Sequence, residues 1–178
     1  MSEILLKADS ITMQFGGLKA VDSLSFEIKK NSLMGLIGPN GAGKTTVFNM
    51  LTGVYQPTKG NVIFSGEKIN GLKPFEIARR GVTRTFQNIR LFKDLSVLDN
   101  ILISSVQHDQ YTSLDALFKT EKFLSIETEL KSKAKDLLNI FKLAHKIDDQ
   151  AGSLPYGEQR KLEILRALAT QPKLICLD

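Results

Sequence analysis

An α/β domain with a mostly parallel sheet is the fold class this sequence predicts. Three observations carry that prediction. Short apolar, β-branched runs alternate with stretches of helical periodicity along the chain. A glycine-rich turn at Gly38–Thr46 follows one such run and opens a helical one. The last run, Leu174–Leu177, is entered through a Gln171-Pro172 turn, as a buried parallel strand would be.

The elements follow in order. Residues 1–32 read as antiparallel strands, "ILLKADSITMQF" and "AVDSLSFEI", with a turn at Gly16-Gly17. Leu33–Gly38 ("LMGLIG") reads as a buried strand. "KTTVFNMLTG" is a helix that Gly53 stops, and "GNVIFSGEKI" is a strand pair around a turn. In "LKPFEIARRG", Pro74 suits a first helical turn and Gly81 ends the helix, after which "VTRTF" is a strand. "SVLDNILISSV" begins with Ser96 followed three residues on by Asp99, a start that resembles a capping box. Residues 107–125 are polar and irregular and read as a surface insertion with weak helical content. Beyond them Ile126, Leu130, Ala134, Leu137, Leu138 and Phe141 share one helical face, and "YGEQRKLEILRALA" is a strong helix former that leads into the terminal strand.

Composition narrows the class. A hydrophobic fraction of 42% and a charged fraction of 24% belong to a globular domain, and no apolar run has the length of a membrane span. The N-terminus lacks a basic stretch followed by a long apolar one, so no secretory signal is expected. Cys176 is the single cysteine, which excludes an internal disulfide and predicts an inert buried thiol. These features together predict a cytoplasmic location. The net charge of +5 favours anionic partners, but no Lys/Arg cluster is interleaved with aromatics, so nucleic acid is not expected among them.

The chemistry lies in "GPNGAGKTT", which fits G-x-x-x-x-G-K-[ST] at Gly38, Gly43, Lys44 and Thr45. Glycines allow backbone N–H groups to converge on phosphate oxygens, and the following helix adds the positive end of its dipole. Lys44 is expected to reach the β- and γ-phosphates, and the Thr45 hydroxyl to ligate Mg²⁺. The candidate nucleotide-binding residues here are Gly38, Pro39, Asn40, Gly41, Ala42, Gly43, Lys44, Thr45 and Thr46. The loop alone leaves kinase, GTPase, helicase and transporter ATPase open.

Along its whole length the sequence then resembles the ATP-binding subunits of ABC transporters. Phe15 precedes Gly16-Gly17, where that family places an aromatic that stacks on adenine. Gln87 in "RTFQNIRLF" resembles the Q-loop glutamine, which touches Mg²⁺ and senses the membrane subunits. "LPYGEQ" (Leu154, Pro155, Tyr156, Gly157, Glu158, Gln159) resembles the signature motif, which contacts nucleotide held by the other subunit. "KLICLD" resembles the Walker B strand, with Asp178 as the acid that holds Mg²⁺. Read singly, Phe15 is more readily a core aromatic beside a turn, Gln87 a capping or surface glutamine, Tyr156-Gly157 a helix-start turn, and Asp178 an exposed acid.

The resemblance implies a P-loop NTPase of the ABC ATPase type with a RecA-like core, an N-terminal antiparallel β subdomain and a helical subdomain. It implies segments at 1–32 (antiparallel β), 33–88 (phosphate loop to Q-loop), 95–158 (helical subdomain with the signature) and 159–178 (signature helix and Walker B strand). Lys44, Gln87 and Asp178 are the implied catalytic residues; Thr45, Gln87 and Asp178 are the implied metal residues. ATP and Mg²⁺ are the implied cofactors.

"FGGLKAVDSLSF", "NMLTGVYQPTKG" and "GVTRTFQNIRLFKDLSVLDNI" are most similar to the branched-chain amino-acid importers of bacteria. The implied partners are a second ATPase subunit, two membrane permease subunits and, indirectly, an external substrate-binding protein, with the chain peripheral at the cytoplasmic face of the inner membrane. Lipopolysaccharide-export ATPases and soluble ABC ATPases are the rival readings. Pro155 stands where the family's signature usually has serine, so the trans contact would rest on Gly157 and the helix dipole.

The family's catalytic glutamate follows the Walker B acid directly, and its D-loop and switch histidine come later. His108 and His145 match neither motif. The expectation is therefore an N-terminal portion of a cassette that lacks the C-terminal part of the core. Such a portion would bind nucleotide better than it hydrolyses it, or serve only as a nucleotide-binding fragment.

Overall fold

In the computed structural model, residues 3–85, 89–105 and 120–177 are described. The chain divides into two compact units, one reaching to Val82 and one comprising Thr83–Leu177.

The first unit is built on β1 (Ile4–Phe15) and β2 (Leu18–Lys29), which pair antiparallel across a Gly16-Gly17 turn. β3 (Lys59–Phe64) lies antiparallel on the other side of β1, and the two-residue β4 (Glu67–Lys68) follows it, giving the order β2-β1-β3-β4. Leu6, Ile11, Val62 and Phe64 are fully buried on this sheet, with Ile69 and Ile77 beside them. The antiparallel strands expected for residues 1–32 are thus formed, and the strand pair expected in "GNVIFSGEKI" adds β3 and β4 to them. Hairpin turns at 16–17 and 65–66 connect neighbours directly, and such turns join only antiparallel strands.

Helix α1 (Lys44–Leu51) buries Val47, Met50 and Leu51 and ends at Thr52, with Gly53 in the left-handed conformation just beyond. Helix α2 (Pro74–Arg79) carries its proline in the first turn, and the Glu76 carboxylate accepts the Lys73 N–H at 2.7 Å. Lys73 offers no side-chain oxygen, so this is half of a capping box.

One expected element is not formed. Leu33–Gly38 is not a strand; Leu33 is 99% exposed and Ile37 95%. Among the described residues no strand pairs with it, and an apolar run without a ladder partner has no hydrogen bonds to define it as sheet.

β5 (Val82–Arg84), which the unit boundary after Val82 divides, and β6 (Leu174–Cys176) form a two-stranded sheet, and the Thr85 N–H donates to the Cys176 carbonyl at 3.0 Å. Cys176 is buried, as its apolar neighbours predict. Helices α3 (Val97–Ser105), α4 (Glu121–Ile140) and α5 (Tyr156–Ala169) enclose a core of Val97, Ile101, Leu138, Leu143, Leu162 and Leu165.

Ser96 caps α3 by accepting the Asp99 N–H at 3.0 Å, while its own hydroxyl donates to the Asp99 carboxylate. Thr120 caps α4, so residues 121–125, expected to be irregular, are helical; residues 106–119 lie outside the described set. On α4 the expected face is the one turned inward, with Ala134 and Leu138 buried and Leu137 and Phe141 packed against the core.

Candidate functional site

The phosphate-loop geometry grows from two glycines. Gly41 and Gly43 both have φ of 82°, the left-handed region, and Gly43 is the N-cap of α1. Glycine is required at 43 for a second reason, because a Cβ there would lie 2.4 Å from the Ala20 carbonyl oxygen. The start of β2 thus presses against the start of α1. The Ala42 N–H donates to the Pro39 carbonyl at 3.2 Å and the Val47 N–H to the Gly43 carbonyl at 2.9 Å, which closes the loop and opens the helix.

Lys44 Nζ folds back over this loop and donates to the Gly38 and Pro39 carbonyls, 2.7 Å each. Asn40, Gly41, Ala42 and Thr45 are exposed, while Lys44 and Thr46 are half-buried. The first N–H groups of α1 have no acceptor within the helix. Joined to the Lys44 ammonium they form a cradle for an anion with several oxygens.

Beside the loop is a cleft of about 250 Å³ lined by Val21, Asp22, Leu36, Ile37, Ala42 and Lys44. Asp22 is exposed, and the hydrogen bond donated by Lys19 holds its carboxyl below the usual carboxylate range. Phe15, the last residue of β1, is 43% exposed and meets Tyr55 edge-to-face with ring centres 5.4 Å apart. Tyr55 is a functional candidate that the sequence reading missed. Its one local signal is an aromatic just past the glycine that stops α1.

The second unit carries the signature residues at the mouth of α5. Leu154 is buried in the core and anchors the turn. Pro155 is the N-cap, with φ −55° and ψ 149°. Tyr156 is 67% exposed, and a Cβ on Gly157 would meet nothing within 4 Å. The Glu158 carboxylate accepts from Lys146 Nζ at 2.6 Å, and Gln159 Nε2 donates to the Leu154 carbonyl at 2.8 Å. Arg160 Nε donates to the Tyr156 hydroxyl, and the guanidinium lies 5.7 Å from that ring's centre.

Gln87 and Asp178 lie outside the described residues, so of the three expected metal residues only Thr45 is placed. Among the described residues no cluster of three or more His, Cys, Asp or Glu side chains exists. His145 is exposed and His108 lies outside the described set. Among the described residues no helix is long and apolar enough to cross a membrane.

Comparison with known proteins follows the same lines. The pattern that defines the ABC transporter family matches residues 21–178. The chain is 45% identical, over all of its length and 70% of the relative's, to the high-affinity branched-chain amino acid transport ATP-binding protein BraF of Pseudomonas aeruginosa. It is 42% identical, with the same coverage, to LivG of Escherichia coli, which bears the same description. Among solved structures, the ADP conformation of an ATP-binding cassette of an ABC transporter superposes with a TM-score of 0.81 at 36% identity, covering 98% of this chain and 68% of that one. A nucleotide-free cassette at the same identity gives 0.79. With its fold, its phosphate loop and its full length matched in this way, the chain belongs to the ABC transporter family of ATP-binding cassettes.

Proposed function

We propose that this chain is the ATP-binding subunit that energises import of branched-chain amino acids through a membrane transporter. It would lie peripherally at the cytoplasmic face of the inner membrane, paired with a second ATPase subunit and two permease subunits and served by an external binding protein. The observation that carries this reading is the joint fit of the loop and the relatives. Lys44 is folded over a left-handed glycine turn at a helix N-terminus, in a chain whose relatives at 42–45% identity bear that transport description.

In this role Lys44 exchanges its two loop carbonyls for β- and γ-phosphate oxygens, and the α1 N–H groups of the loop surround the same oxygens. Phe15, braced by Tyr55, offers its ring to the adenine. The Thr45 hydroxyl, exposed one residue past Lys44, fits a magnesium ligand; Gln87 and Asp178 complete the metal contacts in this reading. Magnesium supplies neutralisation of the charge that develops on the phosphates. Leu154–Gln159 present the α5 N-terminus to nucleotide on the other subunit. Closure of the two subunits over ATP then shifts the permeases between inward- and outward-facing states.

The test is twofold. Titration with a fluorescent ATP analogue is expected to give saturable binding that Lys44→Ala weakens by about tenfold to a hundredfold. In cells deleted for the gene, labelled leucine uptake is expected to return with the parent gene and not with Lys44→Ala. Equal nucleotide affinity of parent and variant would overturn the loop's role, and unchanged leucine uptake in the deletion would overturn the substrate class.

A further inference from the structure

The signature helix begins without the usual capping partners. Pro155, its N-cap, has neither a side-chain oxygen nor a backbone N–H. Glu158 stands at the third helical position, where an acid ordinarily reaches back to the N-cap N–H. That donor does not exist here. The carboxylate is drawn instead to Lys146, which sits in the 3-10 turn Ala144–Lys146 and donates to it at 2.6 Å. The two side chains are only 24% and 25% exposed. Most ion pairs among the described residues are far more open, such as Lys30–Glu3 at 48% and 65%.

This pair matters because of its position. Tyr156 and Gly157, immediately before Glu158, are the exposed mouth of α5. A carboxylate in the first turn favours the helix itself, but it opposes any phosphate that approaches the same N–H groups. Arg160, the other cation of this turn, is already engaged with Tyr156 and Glu163.

We infer that Lys146 is a positioning residue of the signature motif: it holds the Glu158 carboxylate aside and cancels its charge, so that the Tyr156–Gly157 end of α5 can receive the phosphates of a nucleotide bound by a second copy. The inference rests on the trans reading of Leu154–Gln159 given above and adds to it a residue outside the motif. It also explains how this motif tolerates an acid. The charge is neutralised by a neighbour that approaches from a preceding turn.

The experiment is sedimentation velocity of the full chain with Mg-ATP, comparing parent, Lys146→Met, Glu158→Gln and the double variant. Nucleotide affinity of the monomers and their melting temperatures serve as controls. Lys146→Met is expected to raise the ATP concentration needed for half-dimerisation roughly three- to tenfold, with a smaller effect at high salt. Glu158→Gln sets its own reference, and the double variant is expected to lie within about twofold of that single variant, because Lys146 then has no charge left to cancel. A double variant that falls below Glu158→Gln by as much as Lys146→Met falls below the parent would make Lys146 a packing residue and overturn the inference. So would a Lys146→Met chain indistinguishable from the parent. Should Lys146→Met melt early, Lys146→Gln, which keeps a hydrogen-bond donor, replaces it in the same cycle. If the parent chain forms no dimer with ATP, the trans reading and the inference fall together.

Discussion

Gly43 and Gly157 are both glycines of expected phosphate sites, yet the structure constrains them very differently. At Gly43 the backbone is left-handed and a Cβ would lie 2.4 Å from the Ala20 carbonyl oxygen. Gly43→Ala is expected to cost about 1–3 kcal/mol in urea unfolding, and to lower ATP affinity because the loop must shift. At Gly157 there is open space and an ordinary helical backbone. Gly157→Ala is therefore expected to change stability by about 0.5 kcal/mol or less while weakening ATP-dependent dimerisation, since only the approach of a phosphate is obstructed. Lys44 was legible from the sequence because loop spacing and helix start are local signals. The Lys146–Glu158 pair was not legible, because an ion pair 12 residues apart leaves no periodic trace.

At the scale of elements, α3 and α5 together grip the segment that leads into α3. Asn100, fully buried, accepts the Phe92 N–H at 3.0 Å and donates to the Phe92 and Ser96 carbonyls at 2.9 Å each. From α5, Arg166 lies 5.0 Å from the centre of the Phe92 ring, donates to the Ser104 hydroxyl and to the Arg90 carbonyl, and is held below its usual pKa by burial. Asn100→Ala leaves the Phe92 backbone without its partner, so a loss of about 2–4 kcal/mol is expected in equilibrium unfolding.

The helices themselves were legible: α4 from its one-sided apolar spacing, α5 from its composition, α1 from the loop before it and Gly53 after it. Leu33–Gly38 was not. Its apolar composition states that the segment favours burial, but whether it becomes a strand depends on a neighbour that no local pattern names. The antiparallel pairing of β1–β4, by contrast, was legible, because the short turns at Gly16-Gly17 and Ser65-Gly66 can join only antiparallel neighbours.

For the molecule as a whole, ligand binding and folding are linked by mass action. ATP at a hundred times its dissociation constant should stabilise the chain by about 2.7 kcal/mol. A rise in melting temperature with ATP that is absent in Lys44→Ala would register this. The exposed segment at Leu33–Gly38 acts in the opposite direction. Its backbone is not committed to any ladder, and Leu33 and Ile37 stand almost fully in water. Such a stretch is a template for strand addition by another molecule of the same kind. Concentrated stocks are therefore expected to scatter light increasingly with time, and Ile37→Lys to slow that growth. The six residues that introduce the nucleotide loop thus also set the protein's shelf life at the bench.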